Sequence, residues 1–299
     1  MLRKTKSIFI FIAVVLLICS IVGTFGLALR KTDDTVLYEL YSSSVVHKTT
    51  IYDDYYNQSI AIYNDVIYTF YCSTDNRGYV ESRNLRTDEV YNAMEIDVGH
   101  ANGAFVSTLW HSETDDTPLI FVSHCTSDNK VSSVYFVDNV PYIDKVYTFD
   151  SAYSGFLASL VIDNKNQIAY TIGNASGYYG YGEGAKSVVG VYDLTKEFRL
   201  ENGTYTFKNL DTFEVSEIPG KQDVDFHDGR IWILAFNPET ELTESLYGIN
   251  PKTRNADVKI DEFLNDKIAE MHGEGLAFYN GRLYLNSYLG YTVRYKYYQ

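Results

Sequence analysis

The sequence predicts an all-β fold, a β-propeller of five blades, behind an N-terminal membrane segment. Three observations carry the prediction. A strand–turn–strand frame recurs five times along the chain. Aromatic residues make up 15% of the composition against only 5 prolines, which suits strands. After Arg30 the apolar residues alternate in short runs between Asn, Asp and Gly turns instead of forming long helical stripes.

The N-terminus comes first. Arg3, Lys4 and Lys6 precede an apolar run over residues 8–29, 22 in all, long enough at about 1.5 Å per residue to span a bilayer core. The leading charges keep the N-terminus cytoplasmic and send the remainder across. A cleaved signal peptide is the rival, since Gly26-Leu27-Ala28 offers small residues for cleavage after Ala28. Residues 1–30 are thus an anchor or signal, and 31–299 an extracytoplasmic domain, membrane-anchored or, if cleavage occurs, secreted. Ile18 before Cys19 is too large for a lipidation site.

The frame is clearest at Glu274 (EGLAFYNGRLYL), where Asn280-Gly281 predicts a type I′ hairpin turn. It recurs at Gln58 with Asn64-Asp65 at the turn, and at Gln222 with Asp228-Gly229. Looser copies start at Asn102, with a long polar turn holding Asp115 and Asp116, and at Ala158, with a turn over 163–166. The intervals are 44, 56, 64 and 52 residues, a spacing that suits propeller blades of several strands. Third strands are expected at 79–84, 131–137, 187–193, 244–249 and 291–298, and outer strands at positions such as 89–94 and 212–217. The fifth unit runs out after three strands. Residues 36–52, strand-like and without a hairpin partner, are placed to supply its outer strand, close the ring and cover a raw sheet edge. The long third interval leaves a sixth blade open, with 201–215 (ENGTYTFKNLDTFEV) as an elongated hairpin instead. Sandwiches and open meanders are the competing architectures. One short helix is expected at 261–271.

Composition excludes several classes. A hydrophobic share of 45% rules out a mostly disordered chain. Three cysteines are too few for a disulfide scaffold or a four-cysteine zinc site. Beyond residue 31 there are 20 basic and 39 acidic residues, so phosphate backbones are repelled and no nucleic-acid partner is expected.

The strand pair EGLAFYNGRLYLN at 274–286 resembles the repeats of calcium-dependent-phosphotriesterase-type propellers. Gluconolactonases, strictosidine-synthase-like proteins and glutamine cyclotransferases belong to that six-bladed group. The resemblance covers the five frames, each about a dozen residues, and concerns fold grammar. It implies a central tunnel whose mouth can hold a calcium ion on Glu and Asn side chains, here Glu274 and Asn102. Gln58, Gln222 and Ala158 hold the corresponding positions of the other frames, and neutral Gln is a poor carboxylate substitute around a divalent ion.

Inner strands line a propeller's channel, and ligands sit at its mouth. The five frame-start residues should therefore encircle one axis. Two positions earlier stand Tyr56, His100, Phe156, Gly220 and His272, on the same strand face if the backbone is extended. His100 with Asn102, and His272 with Glu274, form two matched pairs reading His-x-[Asn/Glu]-Gly. Three roles compete for this set. Polar residues can cap inner strands through buried water. Gln58, Asn102, Gln222, His100, His272 and Glu274 can hold a small ligand or glycan, with Tyr56 and Phe156 stacking on it. Glu274, His100 and His272 can also serve as acid/base groups.

Other features are weaker. The Gly/Tyr-rich segment 173–186 reads as an exposed loop, with Tyr178, Tyr179 and Tyr181 as aromatic contacts. Cys72 and Cys125 are expected to stay free thiols. His124-Cys125 is discounted as a catalytic pair because neighbours on a strand face opposite ways. Glycosylation patterns occur at Asn57, Asn174 and Asn202. With no complete catalytic constellation, the expected function is a membrane-tethered module that binds a small molecule, glycan or protein. The alternative is a propeller enzyme, a hydrolase, lactonase or glutamine cyclotransferase, working at the tunnel mouth.

Overall fold

The structure, a computed structural model, describes residues 39–48, 55–126, 128–150, 153, 155–175, 186–195, 199–201, 204–216, 218, 220–237, 242–261, 272–288 and 290–298. The chain divides into two compact units, Met1–Val36 and Leu37–Gln299. The first, with the expected membrane segment, lies outside the described residues. So do nearly all of the expected helix at 261–271 and the tyrosines at 178, 179 and 181. Among the described residues there is no helix.

The second unit is built from strands in chain order. β1 (Glu39–Lys48) comes first. Blade I follows as β2 (Tyr55–Tyr63), β3 (Val66–Ser73), β4 (Gly78–Asn84) and β5 (Val90–Glu95). Blade II is β6 (Ala104–Val106), β7 (Ile120–Ser123), β8 (Val131–Val137) and β9 (Val140–Phe149). Blade III opens with β10 (Phe156–Asp163), β11 (Ile168–Asn174) and β12 (Lys186–Asp193). A small hairpin, β13 (Arg199–Glu201) and β14 (Thr204–Phe207), then precedes the blade's outer strand β15 (Asn209–Ser216). Blade IV is β16 (Gly220–His227), β17 (Arg230–Asn237), β18 (Leu242–Asn250) and β19 (Asn255–Ile260). Blade V is β20 (Gly273–Tyr279), β21 (Arg282–Ser287) and β22 (Tyr291–Tyr298).

These strands form five sheets, one per blade, antiparallel except where β14 joins the second, and the protein is a five-bladed β-propeller. The inner strands neighbour one another in cyclic order, β2, β6, β10, β16, β20 and back to β2. In the fifth sheet β1 pairs antiparallel with β22, from Glu39 opposite Tyr298 to Lys48 opposite Tyr291.

The long third interval is not a sixth blade. Its extra residues make the β13–β14 hairpin, which leaves blade III and pairs in parallel with β9 of blade II, Tyr205 against Tyr147 and Phe207 against Phe149. Aromatic rings hold it there. Phe207 lies 4.9 Å from Tyr147 and 5.6 Å from Phe149, close enough for favourable ring contacts.

The expected turn chemistry is present. Asn64-Asp65, Asp228-Gly229 and Asn280-Gly281 all have positive φ at both residues, as a type I′ turn demands. Burial falls from the axis outward: β2 is buried almost throughout, and β5 is half-buried to exposed. The core lies between blades, because each sheet must cover an apolar face on both sides. Ile60, Ile62 and Ile67 pack on Ala277 and Tyr284 between blades I and V. A larger cluster runs through blades II, III and IV, from Phe121 and Leu160 to Ile231 and Ile249.

Candidate functional site

Each frame-start residue falls at an irregularity of its inner strand. The pairing of β2 with β3 shifts between Asn57 and Ser59, so Gln58 is the extra residue. The same shift places Gln222 between Lys221 and Asp223, and Glu274 between Gly273 and Gly275. In β10 it spans Phe156 to Ser159 and takes in Ala158. Asn102 stands just before β6, between Ala101 at φ 56° and Gly103 at φ 140°. A bulge re-aims a side chain that regular pleating would direct elsewhere.

Two of these residues meet directly: Asn102 of blade II donates its Nδ2 to Gln222 Oε1 of blade IV at 3.3 Å. Gln222 in turn contacts His272 Nε2, which lies 3.8 Å from Glu274 Oε1. Gln58, Asn102, Gln222 and Glu274 are all buried. Gln58 Oε1 and Asn102 Oδ1 have no hydrogen-bond partner among the described residues, nor has Asn57 Oδ1 or either amide atom of Asn286. Buried polar atoms normally pair with protein or with ordered water.

The residues two positions earlier form the mouth. Phe156 is 43% exposed, and Tyr56 and His100 are half-buried. Tyr56 stacks on Tyr288 at 4.7 Å with 12° between planes, and Tyr288 lies 6.3 Å from the His272 ring at 24°. These three rings make one aromatic wall at the seam of blades V and I.

Charge gathers under the wall. Lys221 is buried and donates to Ser159 Oγ at 2.8 Å, beside Ala158. Ser159 Oγ donates in turn to the Asn102 carbonyl at 2.6 Å. Burial, reinforced by the Asp223 carboxylate, holds the Glu274 carboxyl well above its ordinary range, and Lys221 opposes the shift. Burial raises Asp223 likewise. A carboxyl kept protonated donates one hydrogen bond and can deliver a proton, which an ionised one cannot.

The position after each bulge ties neighbouring blades. Ser59 donates to the Ala101 carbonyl at 2.5 Å. Asp223 accepts from Leu276 N at 2.7 Å, and Asp225 from Phe278 N at 2.6 Å. Two carboxylates thus imitate a β-ladder between blades IV and V. Where no tie is made the position is Gly, and at Gly275 a Cβ would stand 3.0 Å from Ile60 N and from Asn286 Oδ1.

Several expected groupings are not made. His100 does not turn to Asn102; its Nδ1 lies 3.4 Å from Cys72 Sγ and 3.4 Å from Asn76 Oδ1. This is a Cys-His contact, but an unactivated one. Burial pushes the Cys72 thiol up to about 11 and the His100 imidazole down, the reverse of a thiolate–imidazolium pair. His124 bonds Ser132 Oγ at 2.7 Å, away from Cys125. Cys72 and Cys125 are both free and buried. Asn57 and Asn174 are buried, which closes both to glycosylation, and Asn202 lies outside the described residues. For calcium on Asn102 and Glu274 the donor set does not fit. It offers one carboxyl, raised toward neutrality, beside the Lys221 ammonium, where calcium needs several anionic oxygens.

Lys221, Asp223, Ser159, Asn57, Asn286 and Tyr288 were not legible as site residues. A signal existed for two of them: Lys221-Gln222-Asp223 puts three polar residues in a strand otherwise built for burial.

No family model matches the chain, and no curated protein matches it by sequence. Among solved structures the fold is similar to the glutaminyl cyclase of Myxococcus xanthus, with 12% identity, a TM-score of 0.55, and 87% of this chain and 96% of that one covered. It is also similar to the tail fiber of Staphylococcus aureus phage P68, with 13% identity, a TM-score of 0.52, and 90% of this chain and 54% of that one covered. At these identities the likeness shows the fold alone, a β-propeller.

Proposed function

We propose that the protein is a membrane-tethered, extracytoplasmic β-propeller that binds a small polar ligand at the mouth of its channel. The observation that carries this is the meeting of Asn102, Gln222, His272 and Glu274 from three blades, with the buried amide oxygens of Asn102 and Gln58 left without partners among the described residues. In this reading those residues and Gln58 hold the ligand from below, and Tyr56, Tyr288, Phe156 and His100 flank it. The tether is the apolar run at 8–29. Alkaline carbonate washing of membranes tests the tether: the full chain should stay in the pellet, and release into the supernatant would refute it.

A second reading is favoured by one feature, the raised Glu274 carboxyl beside His272 in a fold shared with a glutaminyl cyclase. In it Glu274 is the proton donor and acceptor of a hydrolase or cyclotransferase. Glu274→Gln separates the two. Turnover of lactones, esters or N-terminal glutaminyl peptides, falling by about 10²–10⁴-fold in the variant, would establish the enzyme. No turnover by the parent protein on that panel, with a changed affinity in the variant, supports the binding module.

A further inference from the structure

We infer that the ligand of the channel mouth is an uncharged, hydroxyl-rich molecule, a saccharide unit. The inference rests on the ligand-binding reading above and names its chemical class.

The floor asks for both hydrogen-bond polarities at once. Gln58 Oε1, Asn102 Oδ1 and Asn57 Oδ1 are buried acceptors without partners among the described residues. Lys221 carries three ammonium protons, and one meets Ser159 Oγ. A hydroxyl group donates and accepts, so several hydroxyls on one ring can serve such a set. An amine supplies donors only and a carboxylate acceptors only. Either would strand half of the floor, at the cost of leaving buried polar groups unmade.

The mouth supplies the rest. Tyr56, Tyr288 and His272 form a stacked row of half-buried rings with Tyr288 in the middle. A pyranose can set its apolar C–H face on an end ring of that row while its edge hydroxyls turn to the amides. Two cavities, about 660 Å³ between the outer strands of blades III and IV and about 690 Å³ beside the turns at 163–166 and 228–229, share none of these residues.

The test is calorimetric titration of the full chain in nanodiscs with glucose, galactose and N-acetylglucosamine. Glucosamine and glucuronate serve as charged counterparts, and Gln-Gly as an N-terminal glutaminyl peptide. At least one neutral sugar should bind, at least tenfold more tightly than its charged counterpart. Asn102→Ala and Tyr56→Ala should each weaken it roughly tenfold, and Lys252→Ala on the far side should leave it unchanged. Asn102→Asp, close in shape, is the second variant should Asn102→Ala not fold. Preference for a charged sugar or for Gln-Gly, lost in Asn102→Ala, would overturn the saccharide class and leave the ligand site standing. No binding of any of the six compounds would overturn both.

Discussion

The chain carries the same short motif twice, and the fold treats the two copies differently. His272-x-Glu274-Gly275 is drawn into one cluster, with the His272 imidazole 3.8 Å from the Glu274 carboxyl and in contact with Gln222. His100-x-Asn102-Gly103 is pulled apart. His100 turns to Cys72 and Asn76, and Asn102 turns across the channel to Gln222. The cause is the backbone. Around Asn102 the chain bends through Ala101 at φ 56° and Gly103 at φ 140°, with Gly103 N bonded to the Ala101 carbonyl. Two residues apart means one face only on an extended chain. The seats differ as well: blade V rests on the Asp223 and Asp225 carboxylates, and the Asn102 turn on the hydroxyls of Ser59 and Ser159.

Four experiments would break or sharpen this contrast. The largest effect should come from the carboxylate seam. Burial raises Asp225 to about 7, against bonds from Phe278 N and Phe226 N that favour the ionised form. A carboxyl raised in the folded state contributes stability that is full below its unfolded value near 4 and is lost as pH climbs toward 7, up to about 4 kcal/mol. His100 and His227, depressed by burial, act in the opposite sense as pH falls below about 6.5. The difference between parent and variant therefore isolates Asp225. Asp225→Asn should grow steadily more favourable, relative to the parent, from pH 4 to 7 in urea melts. Ser159→Ala should show no such slope, and equal slopes would erase the distinction between the seats.

Next in size is Gly103→Ala. Its φ of 140° is glycine territory, and a Cβ there would stand 3.0 Å from both Cβ and Oγ of Ser159. A loss of about 3 kcal/mol is expected, read from the shift of the urea midpoint. A loss below about 0.5 kcal/mol would mean that the bend is not what separates His100 from Asn102.

Ala158→Gln would give blade III the polar residue that the four other blades carry at this position. Ala158 is fully buried against Tyr153 and Val188, so the longer side chain must displace them or turn toward the channel. It should cost about 2 kcal/mol and weaken ligand binding. Unchanged melting and binding would mean the ring has room for a fifth polar group.

The smallest effect compares the histidines. His272→Ala should weaken ligand binding roughly tenfold, about 1.4 kcal/mol, because it frees both Gln222 and Glu274. His100→Ala should change it less than threefold. Equal effects would restore the symmetry that the sequence suggests.

Much of the architecture was legible because it is local. Strand alternation, the Asn-Gly and Asp-Gly turns and the repeat spacing are written in neighbouring residues, and the third strands fall within a residue or two of their expected bounds. The 201–215 segment was harder, because nothing within it says which blade it will join. The shared floor was legible as a list of residues, but its wiring was not. The bond from Asn102 to Gln222 joins residues 120 positions apart in sequence. Lys221 matters only because its chain reaches Ser159, 62 residues away in sequence.

The sequence alone determined that the chain makes repeated hairpins and that four of the five equivalent frame positions are polar, since period and turn chemistry act over a few residues. The tertiary structure decided which of those positions meet. The bulges re-aim side chains only in register with a neighbouring strand, and burial shifts a carboxyl only once other blades have excluded water from it.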